Sequence, residues 1–125
     1  MTENEISYII RGVIYDVYNE LGPGLLESIY EEALIYELKN KGLKVERQSI
    51  VPVIYKGIEL KTPMRIDILV EDKVLIEVKS VKELEPVFFK QTLTYLRLRN
   101  LKLGLLVNFN TANLDNNIKR VVNGI

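Results

Sequence analysis

No cysteine, no histidine and no tryptophan occur among the 125 residues. Without cysteine there is no disulfide framework, iron–sulfur cluster, thiolate zinc site or cysteine nucleophile. Without histidine there is no Ser-His-Asp triad, zincin motif or imidazole general base. Net charge is missing too, because 17 Lys+Arg balance 17 Asp+Glu, so no global field draws the chain to nucleic acid or anionic membrane. Nucleic-acid contact would have to rest on local clusters, Lys39-Lys41-Lys44 or Arg97-Arg99-Lys102, and each reads as readily as a solvated face. No apolar run approaches the roughly 18 residues of a membrane span. The start, Met1-Thr2-Glu3-Asn4-Glu5, is acidic where a signal peptide is basic. A cytoplasmic protein without membrane contact is therefore expected. The remaining chemistry runs on carboxylates, lysine, tyrosine, hydroxyls, amides and a hard cation.

What is present is an ordinary globular composition, 47% apolar and 27% charged, suited to one domain over residues 1–125. Thr2 with Glu5 forms a capping-box signature. The stripe Ile6, Ile9, Ile10, Val13, Ile14, Val17, Tyr18, Leu21 then has the one-face period of an amphipathic helix. Gly22-Pro23-Gly24 breaks it. A second helix follows with Leu26, Ile29, Tyr30, Ala33, Leu34 and Leu38 inward, closing at Lys41-Gly42. Val and Ile enrichment from Lys44 to Tyr55 predicts a strand, with Pro52 pushing it to a sheet edge. Met64–Val70 and Val74–Ser80 flank a polar tip at 71–73 and read as a hairpin. Glu85-Pro86 opens a third helix running to Arg99. The apolar run Leu103–Phe109 suits a strand covered on both faces, and Ile118, Val121, Val122 and Ile125 predict a short closing helix. This order implies an α/β layer fold on a mixed sheet.

Charges break the pattern in the hairpin. Ile66, Ile68 and Val70 share one face of the first strand and Asp67 lies opposite. Val74, Ile76 and Val78 share one face of the second, with Leu75, Glu77 and Lys79 on the other. A loop of 71–73 sets Asp67 directly across from Glu77, with Cβ atoms about 4.5–5.5 Å apart. Two carboxylates at about 5 Å repel by roughly 3 kcal/mol at an effective dielectric near 20. A divalent cation would turn that repulsion into ligation, with Lys79 alongside. A two-residue loop would instead put Asp67 on the other face. The plain alternative is a surface hairpin in which Lys79 pairs with Glu77 or Asp67. On the metal reading, trimming either acid leaves the metal-free fold no less stable.

Asp67, then Glu77-Val78-Lys79, preceded by a helical Glu and followed by a helix, resembles the PD-(D/E)XK nuclease superfamily. Gly24-Leu25-Leu26-Glu27-Ser28-Ile29-Tyr30 resembles the signature of the GxxExxY protein family within it. Gln91-Thr92-Leu93-Thr94-Tyr95 is similar to a Gln-x-x-x-Tyr element of many members. The resemblance covers roughly residues 5 to 110 and lacks the Pro of the superfamily name, since Ile66 precedes Asp67. It implies a restriction-endonuclease-like αβββαβ core and a Mg²⁺- or Mn²⁺-dependent phosphodiesterase acting on nucleic acid, with DNA slightly favoured over RNA. It implies Asp67, Glu77, the Val78 carbonyl and Glu27 as metal ligands. Lys79 would act on water or phosphate, and Gln91 and Tyr95 would line the site. By their spacing alone, Tyr30 reads as a core residue with a satisfied hydroxyl and Glu27 as a first-turn acid favoured by the helix dipole. The alternative is a non-catalytic nucleic-acid-binding or protein-interaction module of the same fold. A twofold homodimer is expected, since a small neutral domain offers little surface to grip a duplex.

Overall fold

The computed structural model describes residues 1–124. Helix α1 (Glu3–Leu21) begins at the expected box: the Glu5 N–H donates to Thr2 Oγ1 at 3.2 Å, and the Thr2 N–H donates to Glu5 Oε1 at 3.0 Å. It buries Ile6, Ile10, Val13, Ile14 and Val17. Helix α2 (Glu27–Asn40) buries Tyr30, Leu34 and Leu38, which recur every fourth residue on one face. Leu26 and Ile29, expected inward, are 71% and 41% exposed. Leu26 caps the helix from outside it, and Ile29 is turned off the inward stripe by one helical step.

Strands β1 (Val45–Val51), β4 (Met64–Val70), β5 (Val74–Lys79), β6 (Leu103–Asn108) and β7 (Ile118–Val122) form one sheet in the order β1-β4-β5-β6-β7. Between β1 and β4, β2 (Ile54–Tyr55) and β3 (Ile58–Glu59) make a separate two-stranded hairpin. It turns on Lys56 and Gly57 at φ 50° and 79°, the paired positive angles of a twist-matched two-residue turn. Strand β1 is an edge, and Pro52 lies just beyond it. β5 and β6 pair in parallel and the other neighbours antiparallel. A parallel pair needs a crossover, and α3 (Pro86–Arg99) supplies it. The run α2-β1-β4-β5-α3-β6 thus has the αβββαβ order on a mixed sheet flanked by helices, the restriction-endonuclease-like arrangement.

The sheet is covered on both faces. Ile68, Val70, Val74, Ile76 and Val78 pack with α1 and α2, while Leu69, Leu75 and Leu106 pack with Tyr95 and Leu96 of α3. The charged face of the hairpin is therefore not an open surface. Gly104 permits the close approach of α3, because a Cβ there would lie 2.9 Å from Leu75 Cδ1 and 3.2 Å from Thr92 Cγ2. Ile66, expected beside Ile68, packs in the α3 cluster instead. The β1–β4 ladder is regular on either side but omits the Gln48–Asp67 pair, where Gln48 has φ 53°.

The closing helix is corrected to strand β7. Ile118 and Val121 are three apart, a helical spacing, but in a strand that places them on opposite faces. Ile118 accordingly joins the α1/α2 cluster and Val121 the α3 cluster. Ile125 lies outside the described residues.

Candidate active site

The hairpin turns through 71–73, and its ladder pairs Ile68 with Ile76, Leu69 with Leu75 and Val70 with Val74. One step further, the same register sets Asp67 across from Glu77. There the backbone ladder between β4 and β5 stops, although β4 stays paired to β1 as far as Met64 and β5 to β6 as far as Lys79. The sheet forks at the two acids. Their side chains take over the bonding: the Asp67 N–H donates to Glu77 Oε2 at 3.0 Å, and the Val78 N–H donates to Asp67 Oδ2 at 2.8 Å.

Glu77 is only 4% exposed and has no cation within ion-pair distance among the described residues. Burial foremost, then the adjacent Asp67 charge, pushes its carboxyl up to about 9. Lys79 does not form the salt bridge of the plain surface hairpin: its Nζ lies 4.6 Å from the Phe88 ring centroid, over the face of α3. Its charge reaches Glu27, whose carboxyl is raised by burial first, with Lys79 opposing and Asp67 and Glu31 adding.

Glu27 is placed by a turn that Tyr30 clamps. The Tyr30 hydroxyl donates to the Gly22 carbonyl at 2.6 Å and accepts the Leu25 N–H at 3.1 Å, while its ring stacks on Phe109 at 4.2 Å. Gly24 has φ +95°, which a side chain rarely adopts. Ser80, next to Lys79, donates to the Leu25 carbonyl at 2.6 Å. Gly24, Glu27 and Tyr30 thus form one device: a turn, the acid that follows it, and the phenol that closes the turn, while Ser80 ties that turn to the end of β5. From α3, Gln91 donates to the Tyr95 hydroxyl at 3.0 Å. The Tyr95 phenol is raised by burial first and then by the charges of Glu77 and Asp67.

Two further residues join them. Glu31, one turn after Glu27, is 6% exposed and accepts from Gln48 Nε2 at 2.9 Å and Arg47 Nε at 3.4 Å. Its carboxyl is raised, by burial before all else. The spacing from Glu27 was a usable signal, since i and i+4 share a helix face. Gln48 carried none, because its position depends on a strand pairing and a left-handed backbone.

An oxygen-only donor set and a buried, cation-less Glu77 suit a hard divalent ion. Among the described residues, however, no three acidic side chains are gathered closely enough to hold a metal. Glu27 feels the Asp67 charge without joining Asp67 and Glu77 in such a group. No helix is long and apolar enough to cross a membrane among the described residues.

A family model described as PD-(D/E)XK nuclease superfamily matches residues 4–121. No curated protein and no solved structure matches the chain at a significant level. With a match over almost its whole length and an acidic pair at the fork of a mixed sheet, the chain belongs to the PD-(D/E)XK nuclease superfamily.

Proposed function

We propose that residues 1–125 form one nuclease domain that hydrolyses phosphodiester bonds of nucleic acid, DNA before RNA, with Mg²⁺ or Mn²⁺. The carrying observation is the fork itself: two adjacent carboxylates, one of them buried, with a lysine that pairs with neither. Asp67, Glu77 and the Val78 carbonyl are the proposed ligands, with Glu27 joining directly or through water. A cation there would neutralise charge on the phosphate and acidify an attacking water. Lys79 holds its ammonium over Phe88, free to bind a phosphate oxygen or orient that water. Gln91 and Tyr95 border the site from α3 and orient substrate. The Gly24-to-Tyr30 device supports membership of the GxxExxY family. Two domains paired about a twofold axis would present two sites to two strands.

One observation favours the non-catalytic alternative: the three acids Glu27, Asp67 and Glu77 are not gathered. Cleavage decides between them. Supercoiled plasmid, single-stranded DNA and RNA are incubated with Mg²⁺, Mn²⁺ or EDTA. Nicking that requires metal and disappears in Glu77→Gln supports the nuclease; binding without cleavage supports the module.

A further inference from the structure

Gln48 has φ 53° in the middle of strand β1. A glutamine in left-handed backbone inside a strand is strained, and such residues persist only where their surroundings hold them. Here it stands opposite Asp67, at the one interruption in an otherwise regular ladder. Its side chain turns toward the fork. Nε2 donates to Glu31 Oε1 at 2.9 Å and to Asp67 Oδ1 at 3.4 Å. The other Asp67 oxygen, Oδ2, already accepts the Val78 N–H. Each oxygen of one carboxylate therefore faces a donor from a neighbouring strand, closely at Val78 and at longer range at Gln48. Each oxygen still has a lone pair to offer, since a carboxylate has about four acceptor sites.

From this geometry we infer that Gln48 is a positioning residue. Its strained backbone aims one amide at Asp67 and at the buried Glu31, setting the plane in which Asp67 meets a divalent cation. Arg47, the preceding residue, braces the same Glu31 from Nε at 3.4 Å and donates to the Ser28 carbonyl at 3.3 Å. The first turns of α2 and the middle of β1 are thus tied to one ligand. A ligand held this way loses less freedom when the ion binds, and partners of this kind typically govern 10- to 100-fold in metal affinity. The inference rests on the proposed metal role of Asp67.

The test separates strain from positioning by using glycine, which adopts φ 53° without penalty. Mn²⁺ is titrated into the full chain and the free ion is read by electron paramagnetic resonance, with thermal melts of the metal-free proteins alongside. Gln48→Gly should melt higher than Gln48→Ala, since both lose the amide and only glycine relieves the strain, and should bind Mn²⁺ about 10-fold or more weakly than wild type. Gln48→Ala keeps the strain and loses the amide, and should weaken Mn²⁺ to a similar extent. Binding within twofold of wild type in both variants overturns the inference, whatever their melting temperatures. If wild type itself binds no Mn²⁺, the metal reading of Asp67 fails and this inference falls with it.

Discussion

Asp67 and Glu77 are joined through the backbone despite their like chemistry: the Asp67 N–H donates to the Glu77 carboxyl, and the Asp67 carboxyl accepts the N–H of Val78. Each acid therefore does structural work at the point where β4 and β5 part. Two carboxyl groups meet there, and each satisfies a donor that the broken ladder leaves over.

This changes what truncation should do. Asp67→Ala strips the Val78 N–H of its partner, and Glu77→Ala does the same to the Asp67 N–H. An unsatisfied buried donor costs about 1–3 kcal/mol, so relief of repulsion does not leave the alanine variants at wild-type stability. Asp67→Asn and Glu77→Gln keep an acceptor and lose the charge. Urea denaturation without metal should rank the amides above the alanines, and all four should lose stabilisation by Mn²⁺.

The metal-free protein should weaken as pH rises. Glu77 ionises near 4.5 in the ordinary state and near 9 in the fold, so the folded chain holds its proton more tightly. That contribution is fully present below pH 4.5 and is lost as pH climbs toward 9. Glu27 and Glu31, also raised by burial first, add a slope of the same sign. Melting temperature across this window should fall for wild type and flatten in Glu77→Gln. A flat wild-type profile contradicts the burial argument.

Lys79→Ala should divide binding from chemistry. The ammonium lies over the Phe88 ring and pairs with no carboxylate among the described residues, so its loss should cost about 1 kcal/mol or less and leave Mn²⁺ binding near wild type. Cleavage should drop about 10²-fold or more. Plasmid nicking beside Mn²⁺ titration measures both.

Tyr30→Phe keeps the stack on Phe109 but frees the Gly22 carbonyl and the Leu25 N–H. Stability should fall by about 1–3 kcal/mol, measurable in urea. Nicking should fall with it even under conditions where the variant is fully folded, because the turn that places Glu27 is loosened.

Most of this architecture is legible in local patterns. The Thr2–Glu5 box, the α1 stripe, Pro86 in the first turn of α3 and the 71–73 tip each carry a short-range signal. The tip fixes the register, and the register brings Asp67 to Glu77. What stayed hidden is long-range. Gln48 enters the site through its pairing opposite Asp67 and a backbone angle that no propensity predicts. Strand β7 was obscured because Ile118 and Val121 serve two core layers at once. The fork itself is visible only when the β1–β4 and β5–β6 ladders are seen to outrun the one between them.

The proposed site holds a divalent cation at this fork between Asp67 and Glu77. An anomalous difference map from a Mn²⁺-soaked crystal tests it directly. One strong peak is expected within about 2.0–2.6 Å of oxygens from both carboxylates, and no such peak in Glu77→Gln. A map without manganese between Asp67 and Glu77, at concentrations that saturate other metallonucleases, would contradict it.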